Sequence, residues 1–148
     1  ADKFQKAAEI REDYQAAFLA AQASEALGRT YEAEARRTNA LAVAVKHMEL
    51  NPDDPRAVTM RAVSLCRLGR SDEGLHWAEK ALEIDPTDPG VRYNVACLYS
   101  LEGKVEEAIQ CLEAAVEAGF QNKDWFRHDP DLDPLRDHPR FQSLISRL

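Results

Sequence analysis

An all-α solenoid of antiparallel helix pairs with a C-terminal capping helix is the fold class that this 148-residue sequence predicts, on two observations. First, "MELNPDDP" at 48–55 and "LEIDPTDP" at 82–89 nearly repeat each other 34 residues apart, and Gly69/Gly103, Glu49/Glu83, Ala62/Ala96 and Ala81/Ala115 keep the same spacing. A fixed period means one supersecondary unit used again. Second, within each unit small and apolar residues recur at helical spacing in two runs separated by glycine, the usual residue just past a helix C-terminus. Such pairs cannot bury their apolar faces alone, so they stack.

The elements follow in order along a single domain, residues 1–148. Residues 1–13 place Phe4, Ala7, Ala8 and Ile10 on one side of a partial or capping helix. Either it is a complete short cap or the tail of an earlier repeat; the second is favoured, making the chain part of a larger protein. Residues 14–54 form an atypical repeat, with a first helix in "YQAAFLAAQASEALG" (14–28) and a second over 30–51. Gly28 to Pro52 spans 24 residues against 17 from Gly69 to Pro86. Seven more residues are about two more turns, so this helix is expected to overhang its neighbours and to expose the apolar "ALAVAV" (40–45).

Residues 55–88 and 89–119 are the regular repeats. Helices are expected over 57–69 and 71–85, then over 91–103 and 104–119, with Pro55 and Pro89 at helix starts where a missing N–H costs nothing. Residues 120–148 are a C-terminal cap. There "DPDLDPLRD" alternates carboxylates at Asp129, Asp131 and Asp133 but lacks the central glycine and distal glutamate of a calcium loop. The preferred reading is short helical turns with Leu132 and Leu135 packed inward, followed by a helix from Pro139 with Phe141, Leu144, Ile145 and Leu148 on one face.

These residues resemble the tetratricopeptide repeat family. Counting from Pro55 and Pro89, the family's small residue at position eight falls on Ala62 and Ala96. Its large residue at eleven falls on Leu65 and Tyr99, its small residue at twenty on Gly74 and Ala108, and its alanine at twenty-seven on Ala81 and Ala115. The proline at thirty-two is Pro86 in one repeat but Phe120 in the next, which marks the last full repeat. The resemblance implies a right-handed superhelix with the first helix of each pair lining a concave groove. The string "HDPDLDPLRDHPRFQSLI" is similar to the C-terminal ending of many bacterial proteins of this family, and implies a bacterial regulatory protein with a signalling domain upstream.

Composition narrows the function classes. With 45% hydrophobic and 30% charged residues the chain is neither a disordered tail nor a membrane protein. A net charge of -7, with no basic cluster, argues against nucleic acid. Cys66, Cys97 and Cys111 lie inside helical patterns and read as reduced, buried small hydrophobes, which fits a cytoplasmic location. No residue pattern supplies a nucleophile with its base, a phosphate loop or a metal ligand set, so no enzyme, cofactor or metal is expected.

Protein binding is the function such a stack supports. The resemblance places Gln22, Arg56, Thr59, Met60, Arg67, Tyr93 and Asn94 in the groove, with Phe18, Leu19, Cys66, Cys97 and Ser100 beside them. Asn94 would hold an extended peptide backbone, and Arg56 and Arg67 would pair with an acidic group on it. Family members that clamp the acidic tails of chaperones use lysine and asparagine where this chain has Phe18, Gln22, Met60, Gly90 and Asn94; only the last agrees, so that clamp is not expected. The alternative is self-association, a homodimer through the long helix around Leu41 to Val45, or a regulatory module attached to a signalling enzyme.

Overall fold

The computed structural model describes residues 14–26, 28 and 30–148. Among them every regular element is helical and none is a strand. The helices are α1 (Tyr14–Ala26), α2 (Thr30–Leu50), α3 (Pro55–Arg67), α4 (Ser71–Ile84), α5 (Pro89–Leu101), α6 (Val105–Glu117), α7 (Lys123–His128), a 3-10 segment (Pro130–Leu135) and α8 (Pro139–Ser146). The expected helix over residues 1–13 lies outside the described residues. Each of the others forms within a few residues of its expected bounds, and α2 is 21 residues long against 14 for α4 and 13 for α6.

Local chemistry sets these ends. Asp54 and Asp88 sit in extended conformation before Pro55 and Pro89, and each carboxylate accepts from the next two free backbone amides. The proline removes one orphan donor and the aspartate satisfies two more. Asp129 and His138 repeat the device, each followed by proline and each accepting one amide. At the other ends Gly69 and Gly103 take φ of +81° and +76°. This left-handed residue lets Arg70 N–H reach Leu65 O at 2.9 Å and Lys104 N–H reach Tyr99 O at 2.8 Å, closing the last turn.

The chain forms two compact units, one running to Ile84 and the other Asp85–Leu148. In the first, α1 packs on α2, α2 on α3, α3 on α4, and α1 also touches α3. Small side chains make the approach close: Ala17, Ala20, Ala40 and Ala44 between the first pair, and Ala62, Gly74, Ala78 and Ala81 between the second are all buried. A Cβ on Gly74 would run into Cys66 Sγ and stand 2.8 Å from Ala62 O, so only glycine permits this spacing. The "ALAVAV" stretch is less open than expected. Ala40 and Ala44 are buried, with Ala40 against Ala17 beside Phe18 and Val43, so α1 covers one edge of the stretch.

In the second unit α5 packs on α6, and the cap closes over both. The 3-10 segment lies on α5 and α6, while α8 packs on α6 and α7. Phe126, Leu132, Leu135, Phe141 and Leu144 are fully buried together with Ile109 and Leu112. Leu132 and Leu135 point inward as expected, because the 3-10 period sets residues three apart on one side.

Candidate functional site

The residues expected to meet a ligand divide between the two units. In the first, Gln22 on α1 and Arg56 and Arg67 at the two ends of α3 are exposed, and Met60 is half-buried. Thr59 is buried, and its hydroxyl donates to Pro55 O at 2.7 Å within its own helix. Leu19, one turn before Gln22, stays 45% exposed. Helices α1 and α3 touch, so the first unit brings four of the expected residues onto neighbouring helices and keeps them accessible.

The second unit treats its share differently. Asn94 is exposed, but Tyr93 is only 2% exposed. Its ring stacks on Phe120 at 4.5 Å, with Trp125 and Phe126 each at 5.5 Å, and its hydroxyl donates to Asp129 Oδ2 at 2.7 Å. Cys97 Sγ approaches the same oxygen at 3.7 Å, and Ser100 Oγ donates to Asp131 O at 2.7 Å. The start of the 3-10 segment thus lies along the α5 face that carries Tyr93, Cys97 and Ser100, and spends their polar atoms. Burial pushes the Tyr93 hydroxyl far above the usual tyrosine range, with the neighbouring Cys97 and Asp129 adding to it. Burial likewise raises the Cys97 thiol, with Asp129 and Asp131 reinforcing the shift.

Cys97, Asp129 and Asp131 offer donor atoms within 4.8 Å of one another, the kind of set that a transition metal takes. Their present chemistry is a latch instead. Asp129 Oδ1 accepts from Asp131 N at 3.0 Å while Oδ2 holds Tyr93 and Cys97, and the thiol is kept protonated.

A counterpart sits in the first unit. Asp54 Oδ2 accepts from Tyr14 Oη at 2.9 Å and meets His47 Nε2 at 2.9 Å, joining α1 and α2 to the start of α3. Burial alone would raise this carboxyl, but the bonds from Tyr14, His47 and two amides carry it below its ordinary value. Sequence reasoning did not find either aspartate's role as an acceptor. The signal was present in the recurring Asp-Pro pairs at 54–55, 88–89 and 129–130, each an N-cap followed by proline. It did not single out Arg61 on α3 either, whose guanidinium carbon lies 3.9 Å from the centre of the Trp77 ring on α4.

Among the described residues no helix is long and apolar enough to cross a membrane. The profile of a family described as anaphase-promoting complex, cyclosome, subunit 3, matches residues 34–115, more than half of the chain. The chain is also similar to a chloroplastic protein of Arabidopsis thaliana, with 34% identity over 82 residues, 53% of this chain and 24% of that protein. To Hsp70-Hsp90 organizing protein 2 of Arabidopsis thaliana it is 36% identical over 98 residues, 64% of this chain and 15% of that protein. The chain thus spans about a quarter or less of the length of these relatives. Among solved structures it is similar to one described as MamA MSR-1 C2, at a TM-score of 0.49 and 22% identity, covering 78% of this chain and 63% of that one.

Proposed function

Since this chain belongs to the family described as anaphase-promoting complex, cyclosome, subunit 3, a family of tetratricopeptide type, we propose that it is a non-catalytic interaction module for a peptide or protein segment. The observation that carries the reading is the accessibility of α1 and α3. Gln22, Arg56 and Arg67 are exposed there beside the half-buried Met60 and the largely exposed Leu19. Two accessible apolar side chains with an amide and guanidinium groups on the same two neighbouring helices suit a segment that carries an apolar side chain and an acidic group. On the second unit Asn94 is exposed by itself, whereas Tyr93 there and Thr59 on the first unit are buried.

The name of the organizing-protein relatives speaks of Hsp70 and Hsp90. For this chain Phe18, Gln22, Met60 and Gly90 at the clamp positions favour a different segment. The length of the relatives supports a module within a larger protein, the three free cysteines support a cytoplasmic setting, and the C-terminal string supports a bacterial regulatory one.

A peptide-library selection on the whole chain tests the proposal, repeated with the triple variant Gln22→Ala, Met60→Ala, Arg67→Glu after circular dichroism has matched the two. Selected peptides that bind the variant at least about tenfold more weakly, a difference of roughly 1.4 kcal/mol, support it. Equal affinity for both proteins contradicts it. A homodimer through the long helix is the second reading, favoured by Leu50, 87% exposed at the end of α2, with half-buried Leu41 and Val45 on the same helix. Light scattering over a concentration series separates it from a monomeric adaptor, which keeps a constant mass.

A further inference from the structure

Cys97 on α5 and Asp129 and Asp131 at the start of the 3-10 segment bring three ligand atoms together, Sγ and two carboxylate oxygens all within 4.8 Å of one another. Bonds from outside this cluster fix the chain that carries the aspartates. Ser100 Oγ donates to Asp131 O at 2.7 Å, and Arg136 donates to Asp129 O at 2.8 Å and to Phe126 O at 3.0 Å. All three bonds end on main-chain oxygens, so they anchor the backbone without occupying the carboxylates. Cys97 closes the cluster from the helix, while the half-buried Asp129 and Asp131 give it a side that solvent reaches. Cys97 and the two aspartates stand far apart in the sequence, so no ligand spacing announces them.

The separations suit one ion. A tetrahedral zinc with sulfur at about 2.3 Å and oxygen at about 2.1 Å sets its sulfur and oxygen ligands about 3.6 Å apart. Cys97 Sγ and Asp129 Oδ2 already stand 3.7 Å apart, and the widest separation in the cluster has little more than about 1 Å to close. Asp129 also has the capacity, because a carboxylate offers about four lone pairs. One on Oδ1 accepts Asp131 N–H, one on Oδ2 accepts the Tyr93 hydroxyl, and the thiol takes a third. An ion would stand where the thiol proton stands: the S–H bond breaks, the proton passes to solvent and a metal–sulfur bond forms. One sulfur with two oxygens favours zinc over calcium, which takes about six to eight oxygens. We propose that Cys97, Asp129 and Asp131 form a zinc site that fastens the cap to α5, with its fourth position open to water. The site lies wholly within the second unit and stands or falls independently of the surface on α1 and α3.

The test uses the whole chain with its thiols reduced. Zinc chloride is titrated by calorimetry, and cadmium chloride is titrated by the ultraviolet charge-transfer band of a metal-bound thiolate. The expected result is one saturable site with a dissociation constant on the order of micromolar and a thermal midpoint that climbs with zinc concentration. Cys97→Ala is expected to abolish the cadmium band, whereas Cys66→Ala and Cys111→Ala keep it. Asp131→Asn, which leaves the thiol and the Tyr93–Asp129 bond in place, is expected to weaken zinc at least about tenfold. Circular dichroism matches each variant to the parent chain before titration. Absence of a saturable band, a band that survives Cys97→Ala, or an Asp131→Asn affinity equal to that of the parent chain overturns the proposal.

Discussion

The two tyrosine-to-aspartate clasps, Tyr14 with Asp54 in the first unit and Tyr93 with Asp129 in the second, use the same bonds in different surroundings. In both, one carboxylate oxygen caps a following helical segment and the other accepts a tyrosine hydroxyl. The third member differs: a half-buried His47 in the first unit, a buried Cys97 in the second. So does the seal. Four aromatic rings, Tyr93, Phe120, Trp125 and Phe126, gather around the second clasp, whereas among the described residues the first has the Tyr14–His47 contact at 4.3 Å. A cap aspartate can therefore fasten helices either at the surface or inside the core. Where the chain's own C-terminal segment supplies it, the face of the helix that carries Tyr93, Cys97 and Ser100 is covered.

The largest way to break the contrast is at the seal. Phe126→Ala leaves a cavity in a fully buried site and is expected to cost about 3–5 kcal/mol, read by guanidinium denaturation. Next comes the position that the two repeats fill differently, Gly74 in the first unit and Ala108 in the second. Gly74→Ala forces a methyl onto Ala62 O and Cys66 Sγ and is expected to cost roughly 1–3 kcal/mol. Ala108→Gly removes a methyl that already fits, and is expected to cost about 1 kcal/mol through backbone entropy.

Removing one hydroxyl from each clasp sharpens the comparison further. Tyr93→Phe leaves a buried carboxylate bond unmade and is expected to cost about 1–2 kcal/mol by calorimetry. Tyr14→Phe, at the partly exposed Asp54, is expected to cost under about 1 kcal/mol.

The pH dependence has opposite signs in the two clasps. Asp54 is held below its ordinary value in the folded state, so its contribution is present above about pH 4 and fades as the pH falls through the lowered value. Tyr93 is held above its ordinary value, by burial first. Its contribution is intact below about pH 10 and fades as the pH rises and the unfolded chain ionises. Thermal midpoints of Asp54→Asn and Tyr93→Phe across both limbs check this: the first is expected to flatten the acid limb, the second the alkaline one.

Helix positions were legible because local signals agree: proline at the starts of the first helix of each regular repeat, glycine at the ends and small residues at the crossing points. The repeat even identified Phe120 as the point where the pattern stops, and the structure makes that ring the stacking partner of Tyr93. The fate of Tyr93 was not legible. A period of 34 assigns the same face to Thr59 and Tyr93, four residues into their helices, but says nothing about which chain segment lies over that face. That depends on the cap, which lies outside the repeat and has no equivalent 34 residues earlier. Arg61 escaped notice for a related reason: stacking across α3 and α4 joins residues sixteen apart, which no single-helix pattern relates.

Backbone amide shift mapping of the whole chain with a selected peptide tests the interaction proposal most directly. Perturbations concentrated on α1 and α3, around Gln22, Met60 and Arg67, with Tyr93, Cys97 and Ser100 unmoved, are the expected result. Perturbations spreading along α5 through those three residues would contradict it, because they would mean that the latch formed by Asp129 and Asp131 opens to admit the ligand.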